Sequence, residues 1–150
     1  MEINSQLPNI TLDATGNQQI NLSKIKNKNI VVYFYPKDST PGCTTEGQNF
    51  RDLFEEFTLA DCVIFGVSRD PIKSHERFKE KQQFQFDLLS DPDEELCKAF
   101  DVIQLKKLYG KEYMGIERST FLFNKKGLLV NQWRKVRVKG HVDAVLEAVK

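Results

Sequence analysis

Cysteine is scarce in this sequence. Only three cysteines occur among the 150 residues, at positions 43, 62 and 97, and they are widely spaced. A scattered, odd-numbered set excludes a disulfide framework and leaves at least one thiol that is free or bound to another molecule. Neither Cys-x-x-Cys nor His-x₃-His spacing occurs, and His75 and His141 are far apart. We therefore expect no metal site and a reducing compartment, the cytoplasm by default.

Long apolar runs and an excess of one sign of charge are also missing. No stretch approaches the ~20 apolar residues of a membrane span, and the opening MEINSQLPNITL lacks the basic start and apolar core of a secretory signal. The formal net charge is +1, so no overall field would attract nucleic acid or anionic lipid. The basic run WRKVRVKGH predicts a strand with one solvated, charged face. We expect neither a membrane protein nor a nucleic-acid-binding protein.

The residues that are present fit a single globular domain spanning 1–150. Hydrophobic residues make up 40% of the chain and charged residues 29%, as in ordinary soluble proteins. Residues 7–23 predict a short β-hairpin whose strands join at residues 15–17. Residues 30–35 and 62–68 are apolar without a break, as strands buried on both faces are. Between these strands, apolar residues recur at helical spacing from 50 to 57, which predicts an amphipathic helix.

The remaining pattern predicts the fold class. Strand, helix and strand at this spacing indicate a parallel βαβ unit. Two Asp-Pro pairs, at 70–71 and 91–92, each predict an N-cap followed by proline in the first helical turn. Residues 101–115 predict a long loop, the strands around 124–127 an antiparallel hairpin, and residues 142–149 a closing helix. The result is an α/β, thioredoxin-like sandwich with a mixed central sheet, an N-terminal β-hairpin and flanking helices.

Cys43 is the residue best suited to carry chemistry. It follows the first buried strand at the start of a helix, where sites gather in open α/β sheets. Unpaired amides at a helix start favour an anion, and Pro41 and Gly42 suit a tight turn that brings such amides close to a ligand. We therefore expect the thiol here to be partly ionised, and the thiolate is the nucleophile. The alternative is an inert core thiol, which is the interpretation we favour for Cys62 and Cys97.

Pro36, Thr40 and Cys43 form the pattern P-x-x-x-T-x-x-C directly after that strand. Within FYPKDSTPGCTTEG, the pattern resembles the peroxiredoxin signature. Together with the later GIERSTFLFNKKG, it resembles the bacterioferritin comigratory protein (PrxQ) subgroup, and the resemblance runs through nearly the whole chain. It implies a thiol peroxidase that reduces hydrogen peroxide and organic hydroperoxides through a sulfenic acid at Cys43, without metal, haem or flavin.

The resemblance also implies a role for each residue of the site. Cys43, Thr40 and Arg118, the arginine of GIERST, would be catalytic, with Arg118 holding thiolate and substrate together. Pro36 and Gly42 would contact the substrate, because Pro36 shields the sulfur from water and Gly42 offers its backbone amide. Without the resemblance, Thr40 could be only a turn residue and Arg118 only a surface charge.

Glu46, three residues after Cys43, has two interpretations. As an acid near the start of the helix it would serve in capping. It could instead orient Arg118, although a negative charge near the thiol opposes formation of the thiolate. We expect the capping role.

The sequence departs from the subgroup at the positions of the second, resolving cysteine. Many relatives carry it five residues after the first cysteine, where this chain has Gln48, and others in the following helix, where it has Lys79. Two routes stay open. An external thiol (glutathione, a glutaredoxin or thioredoxin) could resolve the Cys43 sulfenic acid, or Cys97 could do so after local unfolding, because a disulfide needs Cα atoms within ~7 Å. We expect the external route.

Two other functions stay open. A thioredoxin-like thiol–disulfide oxidoreductase is one, which the single cysteine of the active region argues against. The other is a non-catalytic thioredoxin-like binding module. The resemblance favours a monomer, and the preferred hydroperoxide and the physiological reductant are left undetermined.

Overall fold

The computed structural model of the protein describes all 150 residues and contains nine β-strands and five α-helices. The strands are β1 (Thr11–Ala14), β2 (Gln18–Asn21), β3 (Asn29–Phe34), β4 (Cys62–Ser68), β5 (Asp87–Ser90), β6 (Ile103–Leu108), β7 (Lys111–Ile116), β8 (Ser119–Phe123) and β9 (Leu129–Trp133). The helices are α1 (Pro41–Asp52), α2 (Phe54–Leu59), α3 (Ile72–Gln82), α4 (Glu95–Ala99) and α5 (His141–Val149). None of the helices has the length and apolar character needed to span a membrane.

Seven of the strands form one mixed sheet in the order β2-β1-β5-β4-β3-β8-β9. Strands β3, β4 and β5 are parallel, whereas β1 and β8 run antiparallel to their neighbours β5 and β3. The predicted N-terminal hairpin, the parallel βαβ unit and the later hairpin of β8 and β9 are therefore confirmed. Because α1 follows β3 directly, its first turn lies at the carboxyl edge of the parallel strands.

The sheet divides the apolar core into two clusters. Side chains alternate across a strand, so Val32 and Phe34 of β3 pack into one cluster and Tyr33 into the other. The first cluster contains Cys97 of α4. The second contains Cys43 of α1, together with apolar residues of α3 and α5. These two cysteines therefore lie on opposite faces of the sheet.

Residues 103–116 form a separate two-stranded sheet instead of the predicted long loop. Strands β6 and β7 are antiparallel and turn at Tyr109 and Gly110, which both have positive φ (52° and 76°), as a two-residue type I′ turn requires. Most of their side chains are at least partly exposed, Leu105 and Met114 among them. A strand pair with water on both sides needs no alternation of apolar and polar residues, so periodicity does not reveal it.

Both Asp-Pro pairs precede a helix, but neither aspartate is the N-cap residue. The cap of α3 is Pro71, and the Asp70 carboxylate instead accepts a hydrogen bond from the backbone N of Asp38 at 2.9 Å. Helix α4 begins four residues after Asp91, later than predicted. The Asp91 carboxylate nevertheless accepts from the amide of Cys97, in the first turn of α4, at 2.8 Å.

Two other predicted elements differ from the structure. The helical pattern from 50 to 57 is divided at Leu53 into α1 and α2. The basic run was predicted to be a strand, but β9 ends at Trp133 and the basic residues that follow lie outside it. One of them, Lys135, has a positive φ of 51°, which is incompatible with a continuing strand.

Candidate active site

The loop between β3 and α1 carries Pro36, Thr40 and Cys43 to the edge of the sheet. Pro36 comes just after the end of β3. Proline has no backbone N–H, but at this position the sheet loses no hydrogen bond because of it. Thr40 is the N-cap residue, with extended backbone angles (φ −80°, ψ 155°), and Pro41 is the first helical residue. Cys43 therefore lies in the first turn of α1, and only 2% of it is exposed.

Two backbone amides at the start of α1 are available to a ligand. The first helical hydrogen bond runs from the N of Thr44 to the O of Thr40 at 2.8 Å. The amides of Gly42 and Cys43 come before it and have no acceptor within the helix. With the positive end of the helix dipole, they favour a negative charge at this point.

Arg118 reaches the same point from a distant part of the chain. It directly precedes β8, whose antiparallel pairing with β3 sets Ser119 opposite Phe34. This register brings the guanidinium against α1, with Nη2 3.4 Å from Cys43 Sγ and Nη1 2.7 Å from Glu46 Oε1. The contact with sulfur is the one that the resemblance implies.

Glu46 holds Arg118 and does not cap the helix, so the capping interpretation was wrong. Its residue exposure is 0%, and its Oε2 has no hydrogen-bond partner. Burial raises the pKa of Glu46 to about 7, although the positive charge of Arg118 acts in the opposite direction. Burial lowers the pKa of Arg118, but the negative charges of Glu46 and Cys43 outweigh that effect, so the net shift is upward.

The hydroxyl of Thr40 has a defined orientation. Its Oγ1 donates to the backbone O of Lys37 at 2.8 Å and makes no capping bond to α1. Because its one hydrogen is engaged, the oxygen is left as an acceptor.

A Cβ atom on Gly42 would lie 3.1 Å from Nη2 of Arg118, so this residue has little room for a side chain. Pro36 lies on the same loop and is partly exposed.

Neither of the other cysteines approaches Cys43 as a second thiol would. Cys62 begins β4, at the end of the strand remote from α1, and burial raises its pKa to about 12. Cys97 is fully buried on the other face of the sheet, where burial and the charge of Asp91 raise its pKa strongly. Both cysteines are thus the buried thiols that their apolar surroundings predict.

The two positions where the resemblance would place a resolving cysteine make structural contacts here. Gln48 donates to Gln82 Oε1 at 2.9 Å and so links α1 to α3. Lys79 of α3 forms an ion pair with Asp87 of β5 at 2.7 Å. Neither side chain can act as a thiol, and both help to hold the helices in place.

A buried polar network beside the site was missed in the sequence. It joins the β3–α1 loop to α3 and consists of Asp38, Asp70, His75, Tyr35 and Ser74. Ligand atoms of Asp38, Asp70 and His75 lie within 4.8 Å of one another, as in a metal site. Their facing atoms are engaged in hydrogen bonds within the network, so we assign no metal to it. Its only sequence signal is a histidine at helical spacing from buried Phe78.

The comparisons with known proteins agree with this geometry. The AhpC/TSA family matches residues 3–132. The peroxiredoxin Bcp of Xanthomonas campestris pv. campestris is 53% identical over 150 residues, covering 100% of this chain and 94% of that protein. The peroxiredoxin Bcp of Bacillus subtilis is 52% identical, with coverages of 100% and 96%.

Solved structures extend the agreement to the fold. A structure of the Xanthomonas campestris bacterioferritin comigratory protein, studied for its alkyl peroxide reduction activity, superposes with a TM-score of 0.92 at 51% identity, covering 99% of this chain and 97% of that one. A variant of Xylella fastidiosa PrxQ gives a TM-score of 0.94 at 45% identity, with coverages of 99% and 95%. The thioredoxin-like fold class is thereby confirmed. This chain belongs to the AhpC/TSA family, within its bacterioferritin comigratory (PrxQ) peroxiredoxins, and is a thiol peroxidase that reduces a peroxide with electrons from a thiol.

Proposed function

We propose that Cys43 is the thiol that attacks the peroxide. The observation that carries this proposal is the contact of 3.4 Å between Arg118 Nη2 and Cys43 Sγ, at a helix start with two available amides. The thiolate attacks one oxygen of the substrate, so an S–O bond forms as the O–O bond breaks. Cys43 is oxidised to a sulfenic acid, and the departing oxygen takes a proton to leave as water or an alcohol.

Arg118 and the amides act on the charge that develops on the departing oxygen. An ordinary thiol of pKa about 8.5 is roughly 3% thiolate at pH 7, so complete ionisation gains only about thirty-fold. Loss of one well-aimed donor in the transition state costs about a hundred- to a thousand-fold. Donors from Arg118, Gly42 and Cys43 should therefore contribute more than the ionisation of the sulfur.

Thr40 and Pro36 complete the binding of the peroxide in this proposal. The Thr40 hydroxyl donates to the O of Lys37, so its oxygen can accept a hydrogen bond from the peroxide O–H. This bond would hold the peroxide in line with the sulfur. Pro36 adds apolar surface at the opening and limits the access of water. Both hydrogen peroxide and organic hydroperoxides carry the O–OH group that this arrangement binds.

We propose that an external thiol completes the cycle. Gln48 and Lys79 occupy the positions where the resemblance would place a resolving cysteine, and Cys97 lies across the sheet from Cys43. A thiol of glutathione, a glutaredoxin or thioredoxin would attack the Cys43 sulfenic acid, forming a mixed disulfide and releasing water. A second thiol then reduces that disulfide and restores the Cys43 thiol.

The same proposal includes a monomer in a reducing compartment such as the cytoplasm. Thr40, Cys43, Glu46 and Arg118 all come from one chain, so the site needs no second copy. Its three free cysteines fit a reducing environment.

A trapping experiment tests the role of Cys43. Reduced protein is mixed with one equivalent of hydrogen peroxide and a sulfenic acid trap, and its mass is then measured. We expect one adduct, located on Cys43, in the wild type and in the matched control Cys62→Ser, and none in Cys43→Ser. An adduct that persists in Cys43→Ser would contradict the proposal. Turnover with glutathione plus glutaredoxin, compared with thioredoxin, identifies the reductant.

A further inference from the structure

The loop that carries Thr40 is anchored by a buried carboxylate. Asp38 lies between β3 and α1 and is 6% exposed. Its carboxylate accepts from the Tyr35 hydroxyl (2.6 Å) and the Ser74 hydroxyl (2.8 Å), and it contacts His75 Nδ1 at 2.7 Å. Its backbone N donates to the Asp70 carboxylate at 2.9 Å. Asp38 therefore fixes the loop at three points, two on α3 and one just after β4, and its bond with Tyr35 holds the start of the loop.

His75 meets an acceptor at each ring nitrogen. Nδ1 faces the Asp38 carboxylate, and Nε2 is 2.9 Å from the backbone O of Leu89 in β5. A neutral imidazole carries one N–H and can satisfy only one of these acceptors, whereas the imidazolium satisfies both. His75 is 0% exposed, so water offers no alternative partner. The geometry is that of a buried ion pair between His75 and Asp38.

The anchor at Asp38 adjoins the hydrogen bond that orients the Thr40 hydroxyl. Thr40 donates to the O of Lys37, the residue directly before Asp38. Only Ser39 separates Asp38 from Thr40, and it has a left-handed backbone (φ 63°) that fits a tight loop. If Asp38 moved, the peptide that carries the Lys37 carbonyl would move with it. The Thr40 hydroxyl would then lose the partner that directs its lone pairs.

We propose that His75 is a positioning residue for the peroxidase reaction, whose imidazolium, paired with Asp38, holds the β3–α1 loop so that Thr40 presents an acceptor to the peroxide. This rests on the roles proposed above for Thr40 and Cys43. His75 touches neither the sulfur nor the substrate and acts only through the loop. A buried ion pair is costly to break from one side, because the remaining charge is left without a partner. Such a pair suits a loop that must keep one conformation.

Two rate constants measured on the same variants test the proposal. One is the single-turnover oxidation of Cys43 by hydrogen peroxide, and the other is its alkylation by iodoacetamide, which needs the thiolate but not Thr40. We expect His75→Gln to slow oxidation by about ten- to a hundred-fold, as small misplacements of reacting groups do, with little change in alkylation. Ser74→Ala, which removes one bond to Asp38, should cause a smaller loss of the same kind.

A double-mutant cycle shows whether His75 acts through Thr40. In a Thr40→Val background we expect His75→Gln to cause no further loss in the oxidation rate. An equal loss in both backgrounds, or no loss in the wild type, would overturn the inference. If Thr40→Val alone leaves oxidation unchanged, the role proposed for Thr40 fails, and this inference fails with it. Phe78→Leu, a core change one turn along α3, controls for destabilisation and should leave both rates unchanged.

The charge of His75 is tested by ¹⁵N NMR of histidine-labelled protein at pH 7. His141 is the internal reference, because burial and the charge of Arg118 lower its pKa to about 4 and its Nε2 contacts the Thr120 hydroxyl at 2.7 Å. We expect protons on both ring nitrogens of His75 and on one of His141. A single ring proton on His75 would contradict the ion pair.

Discussion

Glu46 is a carboxyl group enclosed by the protein, with Arg118 at one oxygen and no partner at the other. The charged form of Glu46 destabilises the folded protein in this position, yet its carboxylate directs the Arg118 guanidinium toward the sulfur of Cys43. The cost follows from desolvation, which raises its pKa to about 7 from an ordinary value of 4.5. The folded protein therefore binds a proton at Glu46 between these two pH values, where the unfolded chain does not.

The first prediction concerns the pH dependence of stability. Because the folded state binds more protons, the free energy of unfolding should fall as pH rises from about 4.5 to about 7 and change no further above that. The difference between the two pKa values, at about 1.4 kcal/mol per pKa unit, corresponds to about 3 kcal/mol. Glu46→Gln removes this component. Urea unfolding of both proteins at pH 5 to 8 should give curves that diverge, and parallel curves would contradict the assignment.

The second prediction concerns Arg118, whose planar head group contacts Cys43 and Glu46 through separate nitrogens. A lysine is a single point charge and cannot make both contacts in this geometry. We expect Arg118→Lys to reduce kcat/KM for hydrogen peroxide by about a hundred- to a thousand-fold. Arg134→Lys is the matched control, because Arg134 donates only to backbone oxygens away from the sulfur. Similar activities of the two variants would remove Arg118 from the mechanism.

At the scale of elements, α1 contains two glycines with opposite surroundings, which give the third prediction. A Cβ on Gly47 would lie 2.3 Å from Cζ of Phe84, a buried ring, so Gly47→Ala should destabilise the fold by about 1–3 kcal/mol. A Cβ on Gly42 meets only the end of the Arg118 side chain, at 3.1 Å. Gly42→Ala should keep or slightly raise stability, since alanine favours a helix, but slow Cys43 oxidation.

Thermal unfolding and stopped-flow oxidation of both alanine variants separate these effects. The expected pattern is loss of stability in Gly47→Ala and loss of rate in Gly42→Ala. If Gly42→Ala oxidises at the wild-type rate, displacing the guanidinium has no effect on the reaction. That result would contradict a role for the contact between Arg118 and the sulfur in the rate of oxidation.

Buried elements could be predicted from the sequence because burial imposes a pattern. Strands β3 and β4 are covered on both faces, and their unbroken apolar runs predicted them to within one residue. The exposed hairpin of β6 and β7 has no such constraint, and the four residues of β5 are too few to show a period. Asp70 was predicted to be an N-cap, but its carboxylate accepts a hydrogen bond from the backbone N of Asp38 instead. That bond is a tertiary contact, which local sequence does not encode.

At the scale of the whole molecule, the site depends on contacts between distant parts of the chain. Cys43 could be singled out from its place after a strand, but the pairing of Arg118 with a residue 75 positions earlier rested on the family resemblance. The role of Glu46 and the network of His75 needed the register of β8 on β3 and the packing of α3 on the sheet. The spacing of residues within a single helix or strand cannot indicate these contacts between elements.

The last prediction concerns the two remaining cysteines, which the sheet and its core keep from Cys43. Cys97 packs in the opposite cluster, and burial keeps both Cys97 and Cys62 as neutral thiols at neutral pH. We therefore expect Cys97→Ser and its matched control Cys62→Ser to lose about 1–3 kcal/mol of stability, through a buried hydroxyl, with unchanged turnover in a glutaredoxin-coupled assay. The mass of peroxide-treated wild type should show no internal disulfide. If Cys97→Ser alone lost turnover, Cys97 would have to cross to Cys43 by unfolding α4, and the external thiol would not be the resolving group.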